Sequence, residues 1–154
     1  MDERLTQATM DNEPAVPEFP IIPTALVVDD ASVVRRVAFR VLSEGGYRVF
    51  EAASAVEALD VLAMVRGRVD AVIVDVIMPE VNGVDLVRLI REEWAQPAIL
   101  FMSAYPAEVL AREGLKDLRV HFLAKPFTRT ELLTAVERAI RAHAERAADR
   151  PQEA

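Results

Sequence analysis

Ala71-Val72-Ile73-Val74-Asp75 is a solid apolar run that ends on a carboxylate, and three other stretches repeat the device. Ala25-Leu26-Val27-Val28 ends on Asp29-Asp30, Ile99-Leu100-Phe101-Met102 on Ser103, and Phe122-Leu123-Ala124 on Lys125-Pro126. Short runs without polar alternation suit strands covered on both faces, the habit of parallel sheets flanked by helices. If each run is such a strand, three carboxylates, a hydroxyl and an ammonium line one carboxyl edge of one sheet. Ligands bind at that edge in open α/β sheets.

Between these runs the apolar spacing turns helical. From Ser32 to Ser43, residues Val33, Val34, Val37, Ala38, Val41 and Leu42 share one face, and Gly45-Gly46 stop the helix. Tyr47 to Glu51 reads as a shorter strand. Ser54 caps a helix containing Ala55, Leu59, Leu62 and Met64, with Glu57 completing a capping box and Gly67 closing the segment. After the β-branched run from Val69 to Val74, Met78 to Gly83 is a turn-rich loop leading to a helix from Val84 to Glu93. A strand opens after Pro97, where a missing N–H costs least.

A short helix from Ala107 to Glu113 and a strand from Leu118 to Leu123 follow. A final helix, from Thr128 to just before Arg150, carries Leu132, Leu133, Val136, Ala139 and Ile140 on one face. This alternation predicts a flavodoxin-like, doubly wound (βα)5 three-layer sandwich. Its five-stranded parallel sheet has the order 2-1-3-4-5. The first and third strands are then neighbours, so Asp29 and Asp30 lie beside Asp75.

The 154 residues suffice for one well-buried domain, placed at residues 24–149. Residues 1–23 are acidic with four prolines in their second half and read as a flexible arm; residues 150–154 read as a frayed end. With no cysteine, disulfides and thiolate metal sites are excluded, and the two histidines, His121 and His143, fall far from the acids and read as structural or exposed. A net charge of -7 argues against a nucleic-acid surface. No apolar run is long enough for a membrane span, and residues 1–10 lack the apolar core of a secretion signal, which predicts a cytoplasmic protein.

Crowded carboxylates repel, and each raises the pKa of its neighbours unless a cation intervenes. Hard oxygen ligands without His or Cys suit Mg²⁺, which keeps waters and completes its shell with phosphate; Mn²⁺ is the substitute. Lys125 adds a second positive charge. Only two of the 18 basic residues are lysines, so a lysine here marks a place where a compact ammonium is wanted.

Val-Val-Asp-Asp at 27–30, Val-Asp-Val-Ile-Met-Pro-Glu-Val-Asn-Gly at 74–83, Phe-Met-Ser-Ala at 101–104 and Lys-Pro-Phe at 125–127 resemble the receiver domain of two-component response regulators. The likeness runs from about Thr24 to Ile140. The resemblance implies that Asp75 is the phosphoacceptor, served by a sensor histidine kinase or a histidine phosphotransfer protein. It implies that Asp30 binds Mg²⁺ directly, that Asp29 does so through water or assists, and that Ile77 contributes its backbone carbonyl. Ser103 matches the switch hydroxyl, Phe122 the switch aromatic and Lys125 the family lysine, whose bond to Pro126 is expected to be cis. The bulky Ile77 and Tyr105 stand where family members set the lifetime of the phosphoryl group.

The resemblance further implies a two-state switch read out on the face of the fourth helix, fifth strand and fifth helix, by an unknown downstream protein, in a phosphorelay or in a homodimer. No effector segment is legible after Arg150, so a stand-alone receiver, similar to those of hybrid sensor kinases, is expected, with the Ala/Arg-rich stretch 141–150 extending its partner surface. The expected chemistry is acceptance and slow loss of a phosphoryl group rather than enzymatic turnover. Two alternatives stand beside it. One is an Mg²⁺-dependent phosphohydrolase of the haloacid dehalogenase type, although that class needs Asp-x-Asp where this chain has Asp29-Asp30-Ala31. The other is an unphosphorylated scaffold of the same fold.

Overall fold

A computed structural model describes residues 21–104 and 119–149. Five strands are present: β1 (Thr24–Val28), β2 (Arg48–Ala52), β3 (Ala71–Asp75), β4 (Ala98–Ser103) and β5 (Val120–Ala124). The described helices are α1 (Ser32–Glu44), α2 (Ala55–Met64), α3 (Gly83–Glu93) and α4 (Arg129–Asp149). All strand pairs are parallel, in the order β2-β1-β3-β4-β5. The short helix expected between β4 and β5 lies outside the described residues, so α4 is the fifth helix of the expected series. The expected arm and frayed end also fall outside them, apart from residues 21–23.

Alternation along the buried strands sorts the core into two layers. Leu26, Val28, Val72, Val74, Ile99 and Phe101 face α2 and α3. Ala25, Val27, Ala71, Ile73, Leu100 and Met102 face α1 and α4. Every one of these strand residues is fully buried, and each large one contributes roughly 1.5–3 kcal/mol by leaving water. Asp70, the polar interruption before β3, is accounted for at the amino edge: its Oδ2 accepts the Thr24 N–H at 2.8 Å, closing the ladder where β1 begins.

The helix ends follow the expected chemistry with small shifts. Ser54 accepts the Glu57 N–H at 3.2 Å, while the Glu57 carboxylate reaches back to the Ala53 N–H at 2.6 Å, one residue earlier than a standard box. Asn82 caps α3 by accepting the Asp85 N–H at 2.9 Å. Gly67 has φ +70°, and a Cβ there would lie 2.2 Å from the Trp94 ring. Only glycine fits both the backbone and the space.

Two side-chain assignments from periodicity are corrected. Val33 and Val37 on α1 are exposed, because the helix meets the sheet along a narrower stripe, Ala38 and Leu42; Met64 on α2 is exposed as well, outside the stripe of Ala55, Ala58 and Leu62. β5 begins two residues later than expected, at Val120, after Arg119 adopts φ +53°.

Candidate functional site

The parallel register brings the four apolar-to-polar junctions to one edge. Val28 pairs with Val74, which sets Asp29 beside Asp75; Asp75 pairs with Met102 and Ser103 with Ala124, which places Lys125 next along. Carboxylate oxygens of Asp29, Asp30 and Asp75 all lie within 4.8 Å of one another. The Lys125 Nζ sits between two of the acids, 3.2 Å from Asp29 Oδ2 and 3.4 Å from Asp75 Oδ2.

The three acids differ in their surroundings. Asp29 is wholly buried; its Oδ1 accepts the Ala31 N–H at 2.9 Å and its Oδ2 takes the ammonium. Asp30 is exposed. Asp75 is intermediate, and its Oδ1 accepts the Ile77 N–H at 3.2 Å. Burial pushes the Asp75 carboxyl above the ordinary carboxylate range; the Lys125 charge pulls it back, Asp29 pushes it up again, and the Ile77 N–H pulls it down. A carboxylate this strained by burial and a like charge is stabilised by any cation that joins the cluster.

The neighbouring backbone holds the loop after β3 in one shape. Val76 N–H donates to Met102 O at 3.2 Å, and Gly83 N–H returns to Val76 O at 2.8 Å. Gly83 packs so tightly that an added Cβ would stand 2.2 Å from the Asp75 carbonyl oxygen. In the sequence Gly83 closes a turn-rich loop. Its requirement is instead the close approach of α3 to the end of β3.

Ser103 is buried at the end of β4, and its carbonyl accepts the Lys125 N–H at 2.9 Å. Phe122 lies on the same face of the sheet and stacks on Phe101, centroids 5.6 Å apart. The Lys125-Pro126 bond is cis. Ile77 is exposed beside Asp75; Tyr105 lies outside the described residues. His143 Nε2 bonds the Ala95 carbonyl at 2.7 Å, and His121 is partly buried beneath α4, its imidazole made a weaker base by burial, Arg146 and His143. Neither histidine belongs to the acid cluster.

Hard oxygen donors so close together fit a small dication, and no nitrogen or sulfur ligand intrudes among the described residues. Two residues absent from the sequence-based expectations also bear on this edge, Arg35 and Glu51. Arg35 Nη1 donates to the Asp29 carbonyl at 2.7 Å and its Nε to Glu51 Oε1 at 3.2 Å. A basic residue five positions after Asp30 was the only available signal.

A family model of the response regulator receiver domain matches residues 25–137. The chain is 40% identical over 114 residues to the sensor kinase CckA of Brucella abortus (strain 2308), a match covering 74% of this chain and 12% of CckA. It is 38% identical over 116 residues to the response regulator MprA of Mycobacterium sp. (strain KMS), covering 75% of this chain and 50% of MprA. The chain therefore spans half or less of these relatives. Among solved structures, the receiver domain of the hybrid histidine kinase CckA superposes with a TM-score of 0.64 at 33% identity, covering 76% of this chain and 98% of that one. The chemotaxis response regulator CheY4 of Vibrio cholerae does so with 0.68 at 28%, covering 77% and 99%. By fold, by the order of its edge residues and by these relatives, the chain belongs to the response regulator receiver domain family.

Proposed function

We propose that Asp75 accepts a phosphoryl group from the phosphohistidine of a sensor kinase or phosphotransfer protein, and that residues 24–149 form the unit that does so. One observation carries the reading: the Lys125 ammonium bridges Asp29 and Asp75 inside a cluster of three carboxylates at the carboxyl edge. A carboxylate oxygen of Asp75 attacks phosphorus while the bond from phosphorus to the donor imidazole nitrogen breaks, and the imidazole keeps the electron pair. Such a loose transition state needs in-line placement and neutralised charge more than a general base.

Asp30, Asp29 and Asp75, with the carbonyl of Ile77, would hold Mg²⁺ or Mn²⁺, which when bound supplies neutralisation of the phosphoryl oxygens. Lys125 offers N–H donors from the other side. Ser103, at the end of β4, is the hydroxyl that answers the new acyl phosphate. Its carbonyl link to Lys125 couples the two loops, and Phe122 on the same face changes packing with them. The exposed Ile77 side chain and Tyr105 limit water's approach and so lengthen the life of the acyl phosphate.

The role is regulatory, with no substrate turnover beyond slow loss of the phosphoryl group, and the kinase-facing site suits a cytoplasmic protein. No described helix is long and apolar enough to cross a membrane. The phosphohydrolase alternative is disfavoured by Asp29, the acid that would have to be its nucleophile: it is fully buried and both its oxygens are engaged. The test is incubation with acetyl phosphate and Mg²⁺, read by intact mass. A gain of one phosphoryl group in the unsubstituted chain and none in Asp75→Asn supports the reading; no gain with any small donor or phosphorylated kinase refutes it.

A further inference from the structure

We propose that Arg35 is a positioning residue for the cation site, setting the pose of Asp30 through the backbone without itself touching a metal. This rests on the reading of the acid cluster given above. Asp29 is fixed from every side: its N–H donates to Ala52 O at 3.1 Å, its carboxylate meets Ala31 N–H and Lys125, and its carbonyl accepts from Arg35 Nη1 at 2.7 Å. The exposed Asp30 carboxylate, by contrast, has no side-chain bond among the described residues, so its direction comes from the chain.

The Asp29 carbonyl and the Asp30 N–H belong to one planar peptide unit. A guanidinium that holds this carbonyl therefore fixes the plane from which Asp30 departs.

Arg35 is itself held. Its side chain is only 17% exposed, and its Nε donates to Glu51 Oε1 at 3.2 Å, tying the β1–α1 turn to the end of β2. The rigid planar fork reaches two acceptors in different directions at once, which a lysine ammonium on its flexible stem does far less well. Arg36 makes a useful contrast. Its Nη1 lies 3.5 Å from Glu51 Oε2, but its side chain is 71% exposed and makes no bond to the Asp29 turn.

Arg35 also brings a positive charge towards a site meant for a cation, and this gives the test a sign. If Arg35 acted only through charge, removing it would tighten Mg²⁺ binding; as a positioning residue, its removal loosens it. Calorimetric titration of Mg²⁺ into the full chain and into Arg35→Met, Arg35→Lys and Arg36→Met separates the two. We expect Arg35→Met to bind about tenfold or more weakly, the scale on which partners of metal ligands act. Lysine should restore only part of this, Arg36→Met should stay within about twofold, and the Asp30 amide resonance should move in Arg35→Met before any metal is added.

Unchanged or tighter binding by a folded Arg35→Met chain overturns the proposal. If that variant does not fold, Glu51→Gln serves in its place: it leaves the guanidinium but loosens its anchor, and an affinity equal to the unsubstituted chain's overturns the proposal equally. Absence of Mg²⁺ binding by the unsubstituted chain sinks both the cluster's reading and this proposal. Binding that ignores Arg35 sinks the proposal alone.

Discussion

Replacing Lys125 by methionine keeps most of the aliphatic stem and deletes the ammonium that two acids share. Asp29 then remains fully buried with the Ala31 N–H as its counterpart and Asp75 as a like-charged neighbour. At 3.2 Å the lost attraction to Asp29 is of order 5 kcal/mol gross for an effective dielectric near 20. Breaking one partner out of a buried pair costs roughly 3–5 kcal/mol net. Because the lysine side chain is 23% exposed, a cost at or just below the bottom of that range is expected, about 2–3 kcal/mol.

Urea denaturation without divalent metal measures it, and the double-mutant cycle with Asp29→Asn identifies its source. In the Asp29→Asn background the cost of Lys125→Met should shrink by at least about 1 kcal/mol, because contacting partners are non-additive. Saturating Mg²⁺ should recover much of the loss by mass action on the folded state. A single-mutant cost below about 1 kcal/mol, or strictly additive costs, would refute the electrostatic account of this edge.

Asp75→Asn should stabilise the metal-free chain at neutral pH. The folded Asp75 carboxyl is raised above its unfolded value, so in the window above the ordinary carboxylate range the folded state holds the extra proton, and stability falls as pH rises through it. The gain from asparagine should vanish below that range; a variant less stable than the parent at pH 7 contradicts this. Gly67→Ala should cost about 1–3 kcal/mol through overpacking and strain, with a shift in Trp94 emission because the new methyl meets the indole; an unmoved spectrum and melting curve would count against the clash. Asn82→Ala should remove the α3 cap and cost about 1 kcal/mol by chemical denaturation, and a neutral result would show that water replaces it.

The strands and the edge residues were legible because they depend on two strong signals, solid apolar runs and the polar residues that end them. Asp29, Asp30, Asp75, Ser103 and Lys125 were all placed at one edge by the strand order alone, and the order is the observed one. Exposure of Val33, Val37 and Met64 was not legible, since periodicity says which residues share a face but not how wide a stripe the sheet covers. Nor was the need for glycine at position 83, which comes from a backbone approach between α3 and the end of β3. Arg35 stayed hidden for a related reason: its partners, the Asp29 carbonyl in the turn after β1 and Glu51 on β2, come from different parts of the chain, and no local pattern records a bond to a main-chain oxygen.

The shared ammonium of Lys125 has a consequence for the order of events. Three negative groups against one positive group leave the cluster with a deficit of two, which the proposed dication would cancel. On the proposed function, a phosphoryl group arriving on Asp75 would add one negative charge, while Asp29 still claims part of the same amine. On that reading, relief would come from hydrogen-bond donors on the adjoining loops, and chain movement would be the means by which the loaded pocket regains electrical balance.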